Sequence, residues 1–210
     1  MDAPGEPRST APATILIVPG VGDSGPGHWQ TLMELAHPRA RRVVQHDWSY
    51  PVRSQWVECL ARALDAIDGP VVLVGHSAGS VTIVHWAAAH GHRGGIRGAL
   101  LVAPADLETE LPDGTPVDFL EDAGWVPCPR KSLPFASIVV ASTNDPYATI
   151  ERSEEMARAW GSRLVRVEEA GHLNADAGFG PWPLGARLLQ ELLDDDASRF
   201  TGSRSENDNG

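Results

Sequence analysis

Ser77, Asp145 and His172 are the residues whose types and chain order fit one chemistry, covalent catalysis at a serine hydroxyl. A hydroxyl is a poor nucleophile near neutral pH, so it needs a base to take its proton and a third group to orient that base. Ser77 stands in Gly75-His76-Ser77-Ala78-Gly79, a G-x-S-x-G pattern directly after the aliphatic run Val71-Val72-Leu73-Val74. Strand, sharp turn and a helix from Ser80 to His90 would form a nucleophile elbow, with the hydroxyl exposed above a sheet and helix amides beside it. The pattern alone is weak in a chain with 21 glycines, so its neighbours must carry the reading.

The base is expected to be His172, in Glu169-Ala170-Gly171-His172-Leu173-Asn174, because the other histidines (His28, His37, His46, His76, His85, His90 and His92) all come earlier than the Ser–acid–His order demands. Two acids are serious choices, Asp106 and Asp145, since each follows a predicted strand. Asp145 is preferred because Pro146 fixes a turn there and Thr143 or Asn144 can satisfy nearby backbone groups. The amides of Ala78 and of Val21, in the loop after the first strand, would form the oxyanion hole. His28, Trp29, His76 and Trp125 are candidate pocket walls, with the two tryptophans equally at home in a core. His85, His90 and His92 have no metal-site spacing, and the chemistry calls for no metal and no cofactor.

Positioning these groups requires strands and helices in alternation. Strands are predicted over Thr14 to Val18, Arg42 to Asp47, Val71 to Val74, Ala99 to Ala103, Phe135 to Ser142 and Leu164 to Glu168. Helices are predicted over about His28 to His37, Ser54 to Ile67, Ser80 to His90, Ile150 to Trp160 and Pro183 to Leu193, with Trp56 in the core. That pattern predicts a three-layer α/β/α fold with about six parallel strands, right-handed crossovers and a site at the strands' carboxyl ends. Pro104 to Pro134 holds six prolines, which forbid a long helix, so it reads as a pocket wall or small cap rather than a large lid.

Composition bounds the class. The chain has 210 residues, enough for one domain with its own core, here 14–193, flanked by a lead-in at 1–13 and an acidic tail at 194–210 that both read as disordered. A net charge of −11 argues against a nucleic-acid or anionic-membrane partner. Lys131 is the only lysine, which argues against Schiff-base or phosphate-loop chemistry. Cys59 and Cys128 lack metal or redox spacing and read as free thiols in a reducing compartment. With no signal-peptide or membrane-spanning pattern, the cytoplasm is the expected location.

One rival reading needs weighing. Gly20-Val21-Gly22-Asp23-Ser24-Gly25 is formally G-x-G-x-x-G after a strand, with Asp47 at about the right distance for dinucleotide binding. Asp23 would oppose a pyrophosphate, and Pro26-Gly27 would interrupt the helix that should already be running. A catalytically weak interaction module on the same fold is the other alternative.

The sequence resembles the small serine hydrolases of the retinoblastoma-binding-protein-nine and YdeN-like family. Ile17-Val18-Pro19-Gly20 with Gly27-His28-Trp29-Gln30, Gly75 to Gly79, Ser142 to Tyr147 and Gly171 to Asn174 carry the likeness, in order, between about Thr14 and Leu193. The resemblance implies a largely lidless α/β-hydrolase with Ser77, Asp145 and His172 as its triad. It also implies esterase- or amidase-type activity on a small molecule, with the oligomeric state left open.

Overall fold

The computed structural model describes residues 11–194. The predicted lead-in and acidic tail lie outside the described residues, apart from 11–13 and Asp194. Six strands form one parallel sheet: β1 (Thr14–Val18), β2 (Ala40–Arg42), β3 (Val71–His76), β4 (Ile96–Val102), β5 (Ala136–Ser142) and β6 (Arg163–Val167), in the order β2-β1-β3-β4-β5-β6. The helices are α1 (Trp29–Ala36), α2 (Arg53–Asp65), α3 (Ala78–His90), α4 (Val117–Asp122), α5 (Ile150–Trp160) and α6 (Pro183–Leu193).

Strand residues alternate between two apolar layers, because successive side chains leave a pleated strand on opposite faces. Leu16 and Val18 of β1 with Val71 and Leu73 of β3 meet Trp56, Leu60, Val81 and Trp160 from α2, α3 and α5. Ile15, Ile17, Val72 and Val74 point the other way, to Trp29 and Met33 of α1 and Leu188, Leu189 and Leu192 of α6. Burial on both faces is why these strands read as unbroken aliphatic runs. The order in which strands are added reverses between β1 and β3, a switch point where loops part and leave a crevice at the carboxyl ends.

Two elements differ from expectation. The second strand ends at Arg42 rather than Asp47, because the chain leaves the sheet after the Val43 amide bonds Ile17. Val44 is then 71% exposed, and Asp47 folds back to accept the amides of Ser49 and Tyr50. The proline-rich segment contains α4, with Pro116 at its N-cap, where a missing amide proton costs nothing. Both outer strands carry arginines: Arg41 and Arg42 on β2, Arg163 and Arg166 on β6. Among the described residues no helix is long and apolar enough to cross a membrane.

Candidate active site

The motif glycines explain the turn around Ser77. A Cβ on Gly79 would sit 2.0 Å from the Val18 carbonyl oxygen, and one on Gly75 2.7 Å from Ser80 Cα, so only glycine lets α3 descend against β1 and β3. The crossing forces Ser77 to φ 53° and ψ −127°, a backbone conformation that costs an L residue on the order of 1–3 kcal/mol. Its side chain makes no capping bond to α3. Together with the Gly20 loop, Ser77 lines a cavity of about 450 Å³, within the range of small-molecule sites.

His172 lines the same cavity. Its Nδ1 lies 2.9 Å from Oδ1 and 3.0 Å from Oδ2 of Asp145, whose side chain is only 3% exposed. A carboxylate only accepts, so Nδ1 carries the proton and a neutral ring keeps its lone pair on Nε2. Asp145 Oδ1 also accepts the Tyr147 amide at 2.9 Å, and the Tyr147 ring lies 4.3 Å from that of His172. The residues before Asp145 tie down the loop before His172: Ser142 Oγ accepts from Ala170, Thr143 Oγ1 from Glu169 and Asn144 Oδ1 from Gly171. Sequence reasoning expected Thr143 or Asn144 to satisfy backbone groups near the carboxylate; the backbone groups they satisfy are those of the histidine loop.

Asp106, the other candidate acid, is 3% exposed and grips Arg152 with both oxygens, at 2.8 and 3.1 Å. Arg152 also bonds Glu108 at 2.5 Å and Glu155 at 2.9 Å, and the hydrogen bond to Asp106 leads the causes that raise its pKa. This network pins the chain at Asp106 and Glu108 to α5.

His76 is buried beside the site. Its Nε2 is 2.9 Å from the His172 carbonyl, an acceptor, so this nitrogen carries the ring proton. Burial, then the charges of His172 and His28, hold its pKa well below the ordinary 6.5. His28 caps α1, its Nδ1 accepting the Gln30 amide at 3.1 Å, so its predicted place inside the helix shifts to the cap. Burial and then Arg42 lower its pKa to about 4.

Val21 and Ala78 face the cavity, and their amides take no acceptor among the described residues, whereas the neighbouring Gly22 and Asp23 amides are committed to Trp48 and Gly20. His28, His76 and Trp125 stand in the cavity wall. Trp29 does not. It is 2% exposed, packs behind His28 and His76, and spends its indole N–H on the Leu173 carbonyl at 2.8 Å. Leu107, Leu111 and Asp176, which carried no chemical motif in the sequence, also line the cavity, as does Tyr147. The rival dinucleotide geometry is not formed: α1 begins four residues beyond Gly25, and Asp23 faces the cavity while bonding Arg42 at 2.8 Å.

Comparison with known proteins follows the same line. The sequence matches the serine hydrolase family over residues 15–191. A protein from Pectobacterium atrosepticum described as a YdeN-like hydrolase is 35% identical, with a TM-score of 0.75 over 87% of this chain and 91% of its own. The ydeN gene product of B. subtilis is 21% identical, with a TM-score of 0.70 over 87% and 99%. Mouse alpha/beta hydrolase domain-containing protein 10 shares the fold at 16% identity, with a TM-score of 0.64 over 90% and 92%. No curated protein matches the sequence. With a strained serine at the head of α3 and a family match spanning most of the domain, this chain belongs to the serine hydrolases, as a small YdeN-like member of the α/β-hydrolase superfamily.

Proposed function

We propose that the protein hydrolyses small carboxylic esters, and amides of similar size, through an acyl-enzyme on Ser77. His172 Nε2 takes the proton as Ser77 Oγ attacks the carbonyl carbon, and Asp145 stabilises the imidazolium without itself accepting the proton. The amides of Val21 and Ala78 hold the negative oxygen of the tetrahedral intermediate, the contribution worth most in a water-poor site. The intermediate expels the leaving group with the proton from His172. Water then attacks the acyl carbon, His172 again serves as base, and Ser77 is released.

The observation that carries this reading is the two-oxygen contact of Asp145 with His172 Nδ1 beside a cavity that Ser77 also lines. It supports a histidine held in the tautomer that can accept a proton. Labelling by a fluorophosphonate is the test. Wild type should label and Ser77→Ala should not; label retained in Ser77→Ala rejects this nucleophile. We place the enzyme in the cytoplasm, a reading supported by two buried thiols, of which Cys128 is pushed up to about 12 by burial.

A further inference from the structure

We propose that the cavity selects uncharged substrates with an apolar acyl arm, seated against the 105–125 segment, and turns away those whose leaving group is polyanionic. The inference rests on Ser77 and His172 acting as described above. Because His172 hands its proton to the departing group, that group must lie on the side of the β6 loop, where Asn174 and Asp176 line the cavity. The acyl arm then takes the other side.

Leu107, Leu111, Phe119, Leu120 and Trp125 all line the cavity from the segment between β4 and β5, with Asp113 and Thr115 of the same segment as its polar members. Phe119 is 39% exposed, an aromatic face that an acyl chain would take out of water. The wall is braced rather than loose. The Trp125 indole donates to Pro51 at 2.8 Å, its carbonyl takes the His85 ring at 3.1 Å, Arg53 holds the Gly124 carbonyl at 2.9 Å, and Arg152 holds Asp106. A preformed wall gains affinity with each methylene it covers and loses none to its own ordering.

The charges at the cavity select against anions. Asp23, Asp113 and Asp176 line it, and among the described residues no arginine or lysine does. Arg42 partly offsets Asp23 from behind, but hydrogen bonds from the Thr115 amide and hydroxyl keep Asp113 ionised by lowering its pKa, and Asp176 is exposed on the leaving-group side. A chain of net charge −11 adds a repulsive field around that mouth.

Two thioesters of one acyl group, octanoyl-N-acetylcysteamine and octanoyl-coenzyme A, separate these effects. At low ionic strength kcat/KM should be at least about tenfold lower for the coenzyme A ester, the gap narrowing with added salt and narrowing again in Asp176→Lys. Equal rates for the two esters overturn the charge selection. Across acetyl, butyryl, hexanoyl and octanoyl p-nitrophenyl esters, kcat/KM should rise about fourfold per methylene covered until the wall is filled. Phe119→Ala should flatten the rise and Leu111→Trp should move the optimum to shorter chains. A flat wild-type profile overturns the acyl wall. Fluorophosphonate labelling reports on the underlying reading separately: label lost in Ser77→Ala beside a flat profile defeats this inference alone, whereas label retained defeats the nucleophile itself.

Discussion

The buried ring of His76 donates its Nε2 proton to the backbone carbonyl of His172, joining the elbow to a loop 96 residues later in the chain. The residue before the serine thereby ties down the backbone that carries the His172 imidazole. His76→Ala should lower kcat by roughly 10–100-fold with little change in KM, since about 1 Å of misplacement is worth that much. Steady-state kinetics on a folded variant decides it; unchanged kcat removes His76 from this positioning role.

The two aspartates predict opposite outcomes. Asp145→Asn leaves shape but favours the wrong imidazole tautomer, so kcat should fall about 10³–10⁴-fold while Tm holds. Asp106→Asn weakens the grip on Arg152, so Tm should fall by about 2–8 °C, for roughly 1–2 kcal/mol, while kcat changes less than about fivefold. Kinetics and thermal melts on both variants test the assignment, and a reversed pattern would make Asp106 the orienting acid.

Asn144 offers a subtler test. Its Oδ1 accepts the Gly171 amide at 2.7 Å, and Ser142 Oγ in turn donates to that oxygen at 2.8 Å. Asn144→Ala should cost about tenfold in kcat and speed hydrogen exchange at residues 169–173. Exchange rates equal to wild type would show the loop to be held by other means.

The histidines give a pH dependence. His28 and His85 titrate at about 4 in the fold, and His76 well below 6.5, chiefly through burial. Unfolded histidines bind protons from about 6.5 downward, so the unfolded state holds more protons between these limits and stability falls as pH falls through that window. Tm should drop by on the order of 5 °C between pH 7 and pH 5, and less in His28→Asn. A Tm independent of pH over that range contradicts the burial of these rings.

Relief of strain is measurable at the nucleophile. Ser77→Gly should abolish turnover yet raise Tm by about 2–4 °C, since glycine adopts a φ of 53° without penalty. A lower Tm would mean that the hydroxyl contributes more to the fold than its backbone costs.

The places of Ser77, Asp145 and His172 beyond the carboxyl ends of β3, β5 and β6 were legible in the sequence, because each lies after an aliphatic run in a short stretch marked by glycine or proline. Trp29 was not, since an indole beside a histidine looks the same in one dimension whether it faces a cavity or, as here, backs it. Gly75 and Gly79 announced the elbow, but no local pattern announced that Asp106 would meet Arg152, 46 residues away. The 104–134 segment read as a pocket wall or small cap, but the leucines and phenylalanine that line the cavity from it escaped for a related reason. Leu107, Leu111 and Phe119 show no period, and their common surface exists only once Arg53, His85 and Arg152 have folded the segment. The second strand was placed too late because Val43 and Val44 look like strand residues, although only Val43 reaches the sheet.

The arginines on the two outer strands bear on how the molecule behaves in a crowded solution. A neighbour zipping onto β2, only three residues long, or onto β6 would have to strip water from the exposed guanidinium groups of Arg41 or Arg166 to extend the ladder. Fibril growth by strand addition is thus discouraged at both ends, and the protein can carry a continuous aliphatic sheet without offering it as a template.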